Sequence, residues 1–360
     1  MKFELPVYNE PDFTKDSLTK SPDAVFKASQ KDGTAPEAYH GTTIFPEYIK
    51  VDGVWRLLEE SRMDCAVVLD ENDGLKVVEF RRLKAGDMVL VGRDEDGSCG
   101  IYVHSIGFKQ DGTENDLFAF RTGRSRETSF SMDYDYLYEL LRYERDHGHI
   151  VWVLGPAIVF DSDSRSAFVS MIEKGYVDAV LAGNAMATHD LEACIFRTSL
   201  GQDIYSQVPI SKGHYHHIDL LNKARKHPSL KNFIQVENIE SGIVQACIKQ
   251  DVPLVLAGSI RDDGPLPGVI SDAYKAQDEM RKHTKSATTL ICLATQLHTI
   301  AAGNMTPSYT ISEGKVRPVF IYTVDISEFV VNKLRDRGSL SVTSIVTNIQ
   351  DFVVHINNNI

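Results

Sequence analysis

The sequence predicts an α/β protein in which a doubly wound parallel sheet follows a small, β-rich N-terminal domain. Three observations carry that expectation. From residue 150 onward, short and nearly continuous apolar runs alternate with segments of helical periodicity, as strands do when crossover helices cover both faces of a sheet. Before residue 120 the runs are short, alternating or β-branched, and separated by Asp-Gly turns, as in antiparallel hairpins. A chain of 360 residues is also too long for one comfortable core, so two domains are expected.

In chain order, residues 1–40 are rich in Asp, Lys, Pro and Ser without periodicity and read as an N-terminal arm that packs late or frays. Residues 41–147 form the β-rich domain and a bridging helix. There "YIKVDGVWRLL" turns at Asp52-Gly53, "DCAVVLDENDGLKVVEF" turns at Asp73-Gly74, and "KAGDMVLVG" supplies a further strand. Residues 134–146 place Tyr134, Leu137, Leu140 and Leu141 on one helical face before Gly148, which makes this the bridge. Residues 148–360 then form the α/β domain, with strands expected over 150–154, 179–182, 254–257, 290–294, 319–324 and 344–346. Helices are expected between them, among others over 166–174 and over 327–337, the latter stopped by Gly338.

Composition narrows the function classes. No apolar run approaches the roughly 20 residues that cross a bilayer, and Met1 is not followed by an apolar signal core, so neither a membrane span nor secretion is expected. Five cysteines without a CxxC pair fit free thiols in a reducing, cytoplasmic setting. A net charge of −12 disfavours nucleic acid as a partner and is compatible with a cationic substrate.

In open α/β sheets, ligands bind beyond the carboxyl ends of the strands. The segments there are "AGNAMATHD" after the second strand, "AGSIRDDGPLPG" after the third, "ATQLHTIAAGNM" after the fourth and "VDIS" after the fifth. Small residues let a cofactor approach the backbone, and a helix N-terminus offers free amides to a pyrophosphate. Asp325, ending a strand beside the Ala294-Thr295 turn, suits both hydroxyls of a ribose. No G-x-G-x-x-G occurs, so the residues leave two readings open: a dinucleotide site, or Asp325 as a helix cap and Thr295 and His298 as a capped core turn. Arg261-Asp262-Asp263 offers two carboxylates to a substrate ammonium, one able to act as general base, or else an ion pair and a cap. His214, His216 and His217 have ligand-like spacing but no Cys or acid cluster to complete a set, so no metal is expected. Cys65 opens an apolar strand and reads as core.

Taken together, "VLAGNAMATHDLEACIFRTSLG", "KGHYHHIDLLNKAR", "VPLVLAGSIRDDGPLPGVISD", "LATQLHTIAAGNMTPS" and "VDISEFVVNKLRDRGS" resemble the family named for a region of lysine-oxoglutarate reductase/saccharopine dehydrogenase (LOR/SDH). That family includes archaeal-type ornithine cyclodeaminases and the ornithine cyclodeaminase part of cyanobacterial arginine-degrading enzymes. The likeness extends into the β domain through "GTTIFPEYIKVDGVWRLLEESRMDC". It implies a Rossmann-like, deoxyhypusine-synthase-like domain that binds NAD. The implied enzyme is a lyase turning L-ornithine into L-proline and ammonia, with NAD reduced and reoxidised within one turnover. Position by position, the family's NAD contacts fall on Asn184 and Ala185, on Asp263, on Thr295, Leu297 and His298, on Asp325, and on Asn348 with Ile349. Asp262 is then the carboxylate left for proton handling or ammonium binding, with His189 or Asp190 as second choices. The stretch "YTISEGKVRPVF" is longer than the family pattern, and Asn348 stands where an Asp is usual. With no arginine dihydrolase domain before Gly41, the expected substrate is ornithine and not arginine, and a homo-oligomer is expected. Competing expectations are lysine cyclisation or aminobutyl transfer on the same scaffold, and a non-catalytic NAD-binding module.

Overall fold

The alternating N-terminal segments close into two small antiparallel sheets. A computed structural model describes residues 3–71, 74–108, 131–260, 262, 264–312, 314–327 and 339–360. After the short helix α1 (Asp16–Thr19), the strands of this region are β1 (Val25–Ala28), β2 (Glu47–Val51), β3 (Val54–Leu57), β4 (Ala66–Leu69), β5 (Leu75–Val78), β6 (Met88–Val91) and β7 (Ile101–Val103). They pair in the orders β1-β6-β4-β5 and β3-β2-β7. The β2–β3 connection is the expected two-residue turn, with Asp52 and Gly53 both at positive φ (52° and 77°), which matches the twist of a hairpin. The first forty residues contribute β1 to a sheet, and Phe3 packs edge-on against Tyr136 at 5.3 Å and Phe320 at 5.8 Å.

Helix α2 (Ser131–His147) bridges to the larger domain, burying Leu137, Leu140 and Leu141. There β8 (Ile150–Leu154) and β9 (Ala179–Gly183) precede two short strands, β10 (Thr198–Ser199) and β11 (Gln202–Asp203). The remaining strands are β12 (Leu254–Ala257), β13 (Thr289–Leu293), β14 (Tyr309–Ser312), β15 (Lys315–Pro318), β16 (Phe320–Asp325) and β17 (Ser341–Val346). Six of them form one sheet in the order β12-β9-β8-β13-β16-β17, and every neighbouring pair is parallel. Counted within the sheet, that order is 3-2-1-4-5-6, the dinucleotide-binding arrangement, and its direction reverses between β8 and β13. All six expected strands are present, with ends displaced by at most three residues.

The helices are α3 (Ser162–Glu173), α4 (Asn184–Phe196), α5 (His216–Ala224), α6 (Leu230–Val236), α7 (Ile243–Lys249), α8 (Ala273–Thr284), α9 (Gln296–Met305) and α10 (Ile349–Asn359). Alternation along β8 separates two layers. Ile150, Trp152 and Leu154 face Phe168 of α3, Leu191 of α4 and Phe352 of α10, whereas Val151 and Val153 face Met280 of α8 and Met305 of α9. Helix α3 starts four residues before its expected position because Asp161 caps it, accepting from the amides of Asp163 (3.0 Å) and Ser164 (2.9 Å). The helix expected over 327–337 lies almost wholly outside the described residues. The long "YTISEGKVRPVF" stretch is the β14–β15 hairpin, and it leans on the β-rich domain: Ser308 Oγ donates to the Ile44 carbonyl at 2.5 Å and the Tyr309 hydroxyl to the Leu58 carbonyl at 2.6 Å. No helix among the described residues is long and apolar enough to cross a membrane.

Candidate active site

The carboxyl ends of the sheet strands lie level, since Leu154 is paired with both Ala182 and Leu293, Leu293 with Val324, and Ala257 with Gly183. At the reversal point, β8 ends in Gly155, whose amide donates to the Leu293 carbonyl at 2.7 Å. A Cβ on Gly155 would stand 1.9 Å from the Ala294 carbonyl oxygen, so only glycine lets these two strand ends touch. Ala294 itself takes a left-handed conformation, φ 46°, and its amide donates to the Val324 carbonyl. The result is a tight backbone floor at the switch point, the place where ligands of open sheets bind.

Two helices begin on that floor without a side-chain cap: α4 after Gly183, and α9 after Thr295. By contrast α3, α8 and α10 are capped by Asp161, Asp272 and Asn348. The first-turn amides of α4 and α9 are therefore available to an anion, which the helix dipole also favours. Ala185 and Leu297 are exposed on those first turns. His298 reaches from α9 to the end of β9, where a Cβ on Gly183 would lie 2.8 Å from its ring. Burial holds the His298 imidazole below its ordinary pKa, opposed in part by the charge of Asp262, so it is neutral at pH 7. Asp262, partly buried after β12, accepts from the Ser259 amide at 2.8 Å. Asp325 ends β16 and accepts from the Ser327 amide at 2.8 Å. Asn348 Oδ1 caps α10, accepting from Gln350 and Asp351, which leaves its amide group to donate, while Ile349 is buried at the start of that helix. Asn184 Oδ1 accepts from Leu266 at 3.0 Å and fastens the loop after β12 to α4.

The fold thus gathers Asn184, Ala185, Asp262, Thr295, Leu297, His298, Asp325, Asn348 and Ile349 along one edge, one strand end after another. Arg261 and Asp263 lie outside the described residues. Asp190 points elsewhere: it is fully buried, pairs with Arg165 at 2.6 Å, and accepts from the Val244 amide at the start of α7. Its neighbour His189 faces another way. His189 Nδ1 donates to Glu192 Oε2 at 2.8 Å, and its ring stands edge-on to Phe160 at 5.6 Å. Burial would raise the Glu192 carboxyl, but hydrogen bonds from His189, Thr198 and Gly201 outweigh it and hold the group ionised. The carboxylate accepts from His189 Nδ1, so in the neutral ring the free lone pair lies on Nε2. Glu192 and Gly155 were not among the expected site residues. The i,i+3 spacing of His189 and Glu192 on a helix was the available signal for the first, and a lone glycine after an apolar strand was too common a feature to single out the second. The three histidines of "KGHYHH" diverge: His214 lies against Tyr215, His216 stacks on Phe196 at 4.7 Å and bonds Thr198, and His217 stands 6.2 Å from His189. Among the described residues no cluster of three or more His, Cys, Asp or Glu can hold a metal ion.

A dinucleotide suits this donor set. The glycine-floored switch point admits a backbone-hugging ligand, the two uncapped helices supply amides for a pyrophosphate, and Asp325 ends a strand beside them.

Comparison with known proteins agrees with that geometry. The family described as "Arginine dihydrolase ArgZ-like, C-terminal, Rossmann fold" matches residues 137–356, and its companion "first region" matches residues 46–128. A protein of Methanopyrus kandleri named ornithine cyclodeaminase is 38% identical over 324 residues, covering 89% of this chain and 74% of the relative. The bifunctional arginine dihydrolase/ornithine cyclodeaminase AgrE of Nostoc sp. is 34% identical over 92% of this chain and 46% of its own length. A crystal structure of a LOR/SDH protein from Methanococcus maripaludis superposes with a TM-score of 0.83 at 34% identity, covering 94% of this chain and 98% of that one. The ternary complex of AgrE with ornithine and NAD+ superposes with a TM-score of 0.59 at 33% identity, over 94% of this chain and 46% of that one. The chain belongs to the ArgZ-like C-terminal family of ornithine-related enzymes, together with the archaeal and cyanobacterial ornithine cyclodeaminases.

Proposed function

We propose that the protein is an NAD-dependent ornithine cyclodeaminase that converts L-ornithine to L-proline and ammonia. The observation that carries this reading is the 3-2-1-4-5-6 switch point, floored by Gly155 and flanked by two uncapped helix N-termini, in a chain 33–38% identical to proteins named for that activity. Bound NAD would supply a hydride acceptor and donor within one turnover, so that no external oxidant would be needed.

The residues divide the remaining work. Amides at Ala185 and at Leu297 and His298 would hold the pyrophosphate, with the Thr295 hydroxyl beside them, and Asp325 would take the ribose hydroxyls. Asn348 with Ile349 would complete the grip, Asn184 holds the loop after β12 in place, and Asp263, a cofactor position by resemblance, lies outside the described residues. Asp262 meets the cationic amine of the substrate, next to a neutral His298 that adds no competing charge. An α-ammonium must lose its proton before hydride can leave Cα, and His189, oriented by ionised Glu192, is the base for that proton. Closure of the five-membered ring is intramolecular and so avoids a bimolecular encounter.

The test is to incubate the purified protein with NAD and either L-ornithine, L-lysine or spermidine, with no added electron acceptor, and to follow products by mass spectrometry. Equal amounts of proline and ammonia from ornithine, without net NADH, are expected. Consumption of lysine or spermidine alone would reassign the substrate, and NAD binding without turnover of any of the three would overturn the reading. Asp262→Asn is expected to abolish most turnover while leaving NAD affinity within a factor of about two of the parent, since a single lost charge contact distinguishes substrate from cofactor binding.

A further inference from the structure

Far from the sheet's carboxyl edge, the seam between the two domains holds an imbalance of charge. Arg81 and Arg82 come from one 3-10 turn, Phe80–Arg82, Arg62 from the loop before β4, and Arg281 from α8. All four guanidinium groups pair with Glu79: Arg62 and Arg281 on one oxygen, Arg81 (2.9 Å) and Arg82 (3.4 Å) on the other. Asp278 is the second carboxylate, shared among Arg81, Arg82 and Arg281. Two carboxylates thus face four arginines, in a chain whose overall charge is −12. Lys285, paired with Glu60, adds a further balanced pair at the rim.

A cavity of about 400 Å³ opens beside this cluster, and its charged lining is five cations, Arg62, Lys76, Arg82, Arg281 and Lys285, against the three carboxylates Glu59, Glu60 and Glu79. Arg281 is only 9% exposed, and its Nε is buried with no acceptor. A donor buried without an acceptor is unfavourable, and it marks the seam as incompletely satisfied. The guanidinium is also disfavoured by burial and, against the attraction of Glu79, by the charges of Arg62, Arg82 and Arg81. A surplus of planar, bidentate donors around a cavity is the arrangement that recognises carboxylate or phosphoryl oxygens.

We propose that this cavity is a binding site for a compact di- or trivalent anion bearing carboxylate or phosphoryl groups. The anion offsets the excess of positive charge in the lining and clamps the β-rich domain to α8 and α9. The clamp bears on the candidate active site, because Arg62 also donates to the Asn304 carbonyl in the last turn of α9, the helix whose opposite end lies at the switch point. This inference stands apart from the cyclodeaminase reading, since it concerns a different cavity and is tested by binding alone.

The test is isothermal titration of the full chain with citrate and, separately, with inorganic phosphate, at constant ionic strength set with chloride. Saturable binding of at least one anion is expected, weakened about tenfold, equivalent to about 1.4 kcal/mol, in Arg82→Gln and in Arg281→Gln. Arg281→Gln removes a charge buried at the seam and risks misfolding, so Arg82→Gln, whose side chain is 41% exposed, carries the test if the other fails to fold. Binding of citrate alone identifies a carboxylate ligand, and of phosphate alone a phosphoryl one. Absence of saturable binding by either anion, or binding indifferent to the substitutions, overturns the proposal; the latter would place the anion at the helix N-termini of the sheet edge.

Discussion

Glycine is required at position 155 by the neighbouring strand and not by a turn of its own, because the carbonyl of Ala294 occupies the space a Cβ would need. Gly155→Ala is therefore expected to lower stability by about 3 kcal/mol, the upper part of the usual range for overpacking, with urea denaturation as the measurement. An unchanged midpoint would mean that the two strand ends can part freely. His189 and Asp190 show how adjacent residues of one helix divide between roles. A turn of 100° separates them, so His189 meets Glu192 while Asp190 enters the core beside Arg165. Asp190→Ala leaves the Arg165 guanidinium unpaired in the interior and is expected to cost about 3–5 kcal/mol in urea denaturation. A variant of normal stability but lost turnover would instead return Asp190 to the catalytic set. The sequence alone offered both residues as second choices and had no means to separate them.

Helix ends carry the difference between architecture and site. Most of the long helices in the α/β domain open on a side chain that answers their first amides, and α4 and α9 do not. Asn348 stands at such an end, and its Oδ1 serves α10 whatever its amide group does. Asn348→Ala is expected to lose about 1 kcal/mol, whereas Asn348→Asp should keep the parent stability, because an Asp caps as well and adds a negative charge at the N-terminus. Loss of stability in both variants, read from thermal melts, would show that the cap is not the source. Asp161 illustrates what the pattern of apolar residues concealed: the first turn of α3 is polar, so periodicity placed the helix four residues late. The β2–β3 turn was easier to read, since Asp-Gly restricts the connection chemically before any sheet exists, whereas Asp73 of the second expected turn lies outside the described residues.

At the scale of the whole molecule, burial moves several histidines in the same direction. His104, His283 and His298 are all held below the ordinary value of 6.5, in each case first by desolvation. The unfolded chain takes up protons on these residues near pH 6.5 while the folded chain still refuses them, so acidification favours unfolding. Stability is expected to be flat above about pH 7 with respect to these groups and to fall as pH drops below 6.5. The effect precedes that of carboxylates such as Glu192, whose pKa lies below 4.5 when folded. Urea midpoints measured from pH 8 to pH 5 test this, and a midpoint constant down to pH 5 would contradict it. The Glu144–Arg317 pair, 0% and 1% exposed, joins the bridging helix to the β14–β15 hairpin, so these elements are expected to unfold together with the core.

What the sequence determined by itself is local in origin: the change of rhythm near residue 150, the six apolar strands, and the polar segments that follow them. Side-chain alternation and turn chemistry act over a few residues, and the resemblance to a known family extended them to individual positions. Only the tertiary structure decided the strand order, the contact of Gly155 with Ala294, the commitment of Asp190 to Arg165, and the convergence of four arginines on Glu79. Each of these brings in residues distant in the chain, Arg62 and Arg281 in the case of Glu79. Their partners are chosen by close packing and by the need to pair buried charge, and neither leaves a periodic trace in sequence.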